Sequence, residues 1–85
     1  MNIGVIGLGK LGCSMFAAFA SGGNQVFGYD ISEYSRNSLR EKKAPVLETD
    51  LDKEIELGFK NHTILESPID VVKKFQIIYI IVPTP

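Results

Sequence analysis

The sequence predicts an α/β fold, a parallel sheet wound by helices, on three observations. Apolar runs of strand length alternate with helical patterns along the 85 residues. The first run stops at a glycine-rich turn that opens a helix, and the second stops at an acidic residue.

The first strand is expected over Ile3 to Ile6, a short apolar run bounded by Gly7. Lys10 to Ser21 reads as a helix that is apolar on nearly every side, so burial on more than one face is expected. Ser21-Gly22-Gly23-Asn24 ends it, because glycine and asparagine tolerate the left-handed cap conformation. A second strand follows from Gln25 to Tyr29 and leads into Asp30. Ser32 is placed to cap a polar helix reaching about Lys42, and Pro45 ends that pattern. Asp50 is placed to cap a third helix, with Leu51, Ile55 and Phe59 forming one apolar stripe. Thr63 to Leu65 reads as a short edge strand, and Pro68 suits the first turn of a helix through Lys74. Gln76 to Val82 reads as a buried strand, broken by Pro83-Thr84-Pro85. The expected order is β-α-β-α-α-β-α-β, which is about the first half of a doubly wound domain.

Composition narrows the function classes. Hydrophobic residues make up 45% of the chain and charged residues 22%, with a net charge of −1. That balance suits one globular unit and offers no electrostatic case for nucleic acid or an anionic membrane surface. The uncharged stretch from Leu11 to Tyr29 is interrupted by Gly22, Gly23, Asn24 and Gln25, which is too broken to span a bilayer. Met1 to Gly9 lacks the basic residues of a signal peptide, and a single cysteine allows no internal disulfide, so a cytoplasmic setting is expected. Most of the charge lies between Asp30 and Lys60 and reads as a solvated outer layer of helices.

The chemistry is concentrated in Gly7-Leu8-Gly9-Lys10-Leu11-Gly12, a G-x-G-x-x-G. Gly7 makes the tight turn off the strand, Gly9 lets a pyrophosphate approach the backbone, and Gly12 lets the helix pack closely. The amides around Lys10 and Leu11 then face the phosphates at the helix start. A glycine turn that serves packing alone is the alternative, but the preceding strand, following helix and later acid meet the context a dinucleotide site requires. This predicts a Rossmann-like sheet. Asp30, eighteen positions after Gly12, is spaced to accept hydrogen bonds from the adenosine ribose. Its carboxylate favours a free 2′-hydroxyl and repels a 2′-phosphate, so NAD is expected over NADP. Arg36 either pairs with Asp30 or an adenine-side phosphate, or is an exposed helix charge.

Two other residues attract attention. Cys13 follows the glycine motif at a helix start, where a thiolate would be stabilised; it reads instead as a small buried packing residue. His62 has no partner at metal-ligand spacing and reads as a surface-loop histidine. No catalytic residue and no metal ligand is assigned.

The opening Met1-Asn2-Ile3-Gly4-Val5-Ile6-Gly7-Leu8-Gly9, the segment Pro45-Val46-Leu47-Glu48-Thr49-Asp50-Leu51 and the ending Val82-Pro83-Thr84-Pro85 together resemble the N-terminal part of the UDP-glucose/GDP-mannose 6-dehydrogenase family. The middle segment is similar to that family's P-I-x-E-P-G-L, and the ending matches its V-P-T-P. The resemblance runs through all 85 residues. It implies that Lys10 and Leu11 offer amides to the NAD pyrophosphate, that Asp30 binds the ribose, and that Thr84 contacts the cofactor. The chain departs from the family pattern at four places. Lys10 stands for a usual Tyr, Ser35 for a usual Lys or Arg, Thr49-Asp50 for Pro-Gly, and Gln76 for an acid.

Residues 1–85 are therefore expected to be the N-terminal half of an NAD-binding Rossmann domain, without the catalytic and sugar-nucleotide domains. The full-length relative implied by the resemblance oxidises a sugar C6 alcohol to a carboxylate with NAD. Expected partners are NAD and either the remainder of the enzyme or a second copy covering an exposed sheet edge, which would otherwise leave apolar surface open. Two other functions share the same turn: a stand-alone, non-catalytic nucleotide-binding or interaction module, and the start of a 3-hydroxyacid or 6-phosphogluconate type dehydrogenase. The latter accounts for neither the Pro45 to Leu51 segment nor the ending.

Overall fold

The computed structural model describes residues 2–74 and 77–81. Four strands, β1 (Asn2–Ile6), β2 (Gln25–Tyr29), β3 (His62–Ile64) and β4 (Ile77–Ile80), form one sheet in the order β3-β2-β1-β4. All three pairings are parallel. The helices are α1 (Lys10–Ser21), α2 (Glu33–Arg40), α3 (Leu51–Leu57) and α4 (Pro68–Lys74), with a 3₁₀ turn at Phe59–Asn61. The chain starts at β1, steps outward through β2 to β3, and then crosses back to β4 on the other side of β1. That reversal places a topological switch point between the carboxyl ends of β1 and β4, where open α/β sheets bind ligands.

The apolar run of β1 explains its central place. Ile3 pairs with Val26 and Ile77 in register, and Val5 with Gly28 and Tyr79. Ile3 and Val5 are buried beside Leu8, Val26 and Ile64. Phe16 from α1 seats on Gly28, where a Cβ would come within 2.7 Å of the ring. The glycine in β2 thus makes room for the largest buried side chain. Gly58 works the same way against the end of α1, where a Cβ would lie 2.5 Å from the Ser21 nitrogen. Beside it, Ser21 Oγ donates to Glu54 Oε1 at 2.6 Å and ties α1 to α3.

Helix α1 has the predicted bounds but not the predicted burial. One stripe, Gly12, Cys13, Phe16, Ala17 and Ala20, is buried, whereas Leu11 is 60% exposed and Ala18 is exposed. The sheet lies under one face and α3 along one flank; the outer face meets no neighbour among the described residues that would bury it. Ser32 caps α2 as expected, its Oγ accepting from Ser35 N at 3.3 Å. The helix stops at Arg40, short of the expected Lys42, which stands at φ 63°. Asp50 precedes α3 but is no side-chain cap: it is left-handed (φ 61°) and its carboxylate bonds no helix amide. The carboxylate of Asp52 instead accepts from Ala44 N at 2.7 Å, anchoring the α2–α3 connection. Leu51 and Ile55 carry the buried stripe.

Strand β3 begins one residue earlier than predicted, and this moves His62 out of a loop. Its ring packs 5.1 Å from Phe16 and 4.6 Å from Phe59. Strand β4 is a sheet edge, and the expectation of a buried strand does not hold over Ile77–Ile80. Ile77, Tyr79 and Ile80 are all exposed, with Ile80 at 68%. The expected strand ends, Gln76 and Val82, lie outside the described residues.

Candidate nucleotide-binding site

The glycine turn is locked from three sides. Gly7 has φ +101°, and a Cβ there would overlap the carbonyl of Ile81 at the end of β4. Its N–H donates to Tyr29 O at 2.8 Å, at the end of β2. Only glycine suits both the backbone angle and the close approach. A Cβ on Gly12 would overlap the carbonyl of Gly7, so α1 starts directly against the turn. Gly9 differs: a Cβ there would meet nothing within 4 Å. It is the N-cap of α1 with no side-chain cap bond, so the first helical amides, those of Lys10 and Leu11, have no intrahelical acceptor. Unpartnered amides and the positive end of a helix suit an anion such as pyrophosphate.

Asp30 is joined to this turn directly. Its Oδ2 accepts from Leu8 N at 2.6 Å, and its Oδ1 accepts from Ser32 N at 2.7 Å. The buried Leu8 side chain anchors the same residue in the core. A carboxylate has about four acceptor sites, so two such bonds leave capacity for ribose hydroxyls. One acid thus connects the turn, the start of α2 and the position expected for the adenosine ribose.

Arg36 is neither an exposed helix charge nor a partner of the Asp30 carboxylate. Its side chain is 13% exposed. Nη1 donates to the carbonyl of Asp30 at 2.7 Å and to that of Ile31 at 3.3 Å. The guanidinium lies 5.5 Å from the Tyr29 ring centroid, and Nε donates to Glu66 Oε2 at 2.9 Å. Arg40 reaches the other oxygen of Glu66 at 3.0 Å and the carbonyl of Ile64 at 3.3 Å. Sequence reading missed Glu66. The available signal was its place just past β3, level with Asp30 just past β2.

Lys10 extends from the turn toward Glu48, with Nζ 3.4 Å from Oε2. The two residues line a shallow cleft with Leu47 and Thr49, so the Pro45 to Leu51 segment folds back beside the glycine turn. Thr84, the remaining expected contact, lies outside the described residues. Cys13 is buried, as expected of a packing residue, and burial together with the nearby Asp52 pushes its thiol up to about 12. A thiol so hard to ionise is a poor nucleophile. Burial lowers the His62 pKa, opposed by a hydrogen bond to the Leu39 backbone. Among the described residues no cluster of three or more His, Cys, Asp or Glu could hold a metal, and no helix is long and apolar enough to cross a membrane.

The model of the UDP-glucose/GDP-mannose dehydrogenase family, NAD binding domain, matches residues 1–85. The chain belongs to this family. It is an NAD-binding dehydrogenase domain, and NAD is its cofactor. Solved structures agree on the fold. Over 100% of this chain it superposes on GDP-mannose dehydrogenase from Pseudomonas aeruginosa, in a ternary complex, with a TM-score of 0.93, 24% identity and 20% of that chain covered. A UDP-glucose dehydrogenase from Pyrobaculum islandicum matches at TM-score 0.91 and 26% identity, over 99% of this chain and 21% of that one. A UDP-D-ManNAc dehydrogenase from Pyrococcus horikoshii matches at TM-score 0.87 and 30% identity, over 100% of this chain and 21% of that one. The dehydrogenase domain described here therefore spans about a fifth of the length of the structures it matches. No curated protein matches the sequence.

Proposed function

We propose that residues 1–85 form the first half of the NAD site of a nucleotide-sugar 6-dehydrogenase, the enzyme class that oxidises a sugar C6 alcohol to a carboxylate. That change is a four-electron oxidation, and NAD, when bound, would supply the acceptor for its two successive hydride transfers. The part taken by this chain is to hold the cofactor. Gly9 leaves the space for the pyrophosphate, the amides of Lys10 and Leu11 bind it, and Lys10 adds a positive charge at the rim. Gly7 and Gly12 set the turn, and Asp30 receives the ribose hydroxyls. Thr84 is assigned a cofactor contact from the V-P-T-P motif. The reaction itself requires groups that are not assigned within 1–85.

The observation that carries this reading is the 2.6 Å bond from Leu8 N to the Asp30 carboxylate, beside the open Gly9 position at the switch point. It supports one continuous surface from pyrophosphate to ribose. Isothermal titration of the chain with NAD, beside an Asp30→Ala variant, tests it. The variant is expected to weaken NAD at least tenfold, the equivalent of about 1.4 kcal/mol. Equal affinity in the two proteins would remove Asp30 from the site.

The exposure of Ile77, Tyr79 and Ile80 favours a second contact: a covering partner along β4, either the remainder of the enzyme or another copy of the chain. Light scattering across a concentration series tests it, because a monomer at all concentrations rules out self-covering.

A further inference from the structure

An arginine near the ribose acid is the group that accommodates the 2′-phosphate of NADP in folds of this kind. Arg36 stands in that neighbourhood, with Nη1 2.7 Å from the carbonyl of the residue whose carboxylate is assigned to the ribose. A second arginine, Arg40, lies one helical turn further along α2. Against two cations, the single charge of Asp30 is a weak barrier to a phosphate. Glu66 changes that balance. It comes from the connection between β3 and α4 and bridges both arginines, with Oε2 2.9 Å from Arg36 Nε and Oε1 3.0 Å from Arg40 Nη1.

We infer that Glu66 is a specificity-determining residue for the dinucleotide: its single charge, shared between Arg36 and Arg40, offsets one of their two positive charges, so that Asp30 can balance the other and the site favours a free 2′-hydroxyl. The inference rests on the assignment of Asp30 to the ribose. Glu66 is 64% exposed, so its ion pairs add little to stability. Their consequence is the charge that a bound nucleotide meets. Arg36 does not depend on Glu66 for its place, because the carbonyls of Asp30 and Ile31 and the Tyr29 ring also hold it. Removing the Glu66 charge therefore leaves a positioned, uncompensated guanidinium beside the ribose site.

The test is titration of the chain and its Glu66→Gln variant with NAD and with NADP, at fixed low salt, with thermal melts as a check on folding. Glu66→Gln is expected to raise the NADP-to-NAD affinity ratio at least fivefold while changing NAD affinity less than twofold. Glu66→Asp, which keeps the charge, should retain most of the original ratio. Adding Arg36→Gln to Glu66→Gln should reverse most of the gain. An unchanged ratio in a Glu66→Gln variant that still binds NAD would overturn the inference and leave the Asp30 assignment standing. Equal loss of both dinucleotides would make Glu66 structural and overturn it as well. If the unmodified chain binds neither dinucleotide, the assignment of Asp30 fails first and the inference with it.

Discussion

At the β3 edge of the sheet the strand is only three residues long, yet Ile64 is buried and His62 is held between Phe16 and Phe59. At the β4 edge the strand is longer and more hydrophobic, yet Ile77, Tyr79 and Ile80 face solvent. The difference lies in what packs nearby. Beside β3 stand the end of α1, the 3₁₀ turn with Phe59, and the arginines of α2 reaching Ile64 and Glu66. Over β4 the Phe19 ring stacks 5.4 Å from Tyr79, which still leaves Ile77, Tyr79 and Ile80 exposed. Apolar sequence makes a residue able to be buried; a neighbouring element is what buries it.

The largest effect that would break this contrast is at Phe16. It is fully buried and links α1 to Gly28 and His62. Phe16→Ala is expected to cost about 3–5 kcal/mol, enough to unfold much of a small domain. Urea denaturation checks it, and a loss under 1 kcal/mol would mean that the β3 side is not packed as described. A smaller effect comes from His62. Burial lowers its pKa in the fold, so the unfolded chain, with an ordinary value of 6.5, takes up the proton more readily. Its contribution is complete above about pH 6.5 and is lost as the pH falls below that. Melting temperatures between about pH 7 and 5 should decline for the chain and decline less for His62→Gln. Parallel curves would place His62 in solvent. The smallest effect is at the other edge, where Ile80→Ser should change stability by less than about 0.5 kcal/mol in a dilute monomer. A much larger, concentration-dependent loss would show that β4 is covered by a second copy.

Much of the fold was legible from local chemistry. The bounds of α1, β2 and α4 follow from glycine, proline and the switch between helical and strand patterns. Ser32 caps α2 because a hydroxyl at that position reaches an amide three residues on. The Asp50 cap failed because a left-handed backbone at φ 61° leaves the side chain making no cap bond. His62 was misread because one residue of strand register separates a loop from an aromatic cluster. In the site, the glycine spacing already indicated that backbone had to approach closely, although not that Ile81 and Gly7 carbonyls supply the close contacts.

The sequence by itself determined the order of elements and the glycine-rich turn, and it gave the expectation that Asp30 selects NAD, since these depend on spacing within a few turns or strands. Only the tertiary structure decided that Asp30 holds Leu8 N, that Arg36 grips a carbonyl, and that Glu66, thirty residues further on, pairs with it. It also decided which apolar residues stay exposed along α1 and β4. The physical reason is the same throughout: hydrogen bonds, ion pairs and burial depend on distance in space, and the chain sets that distance only when it has folded.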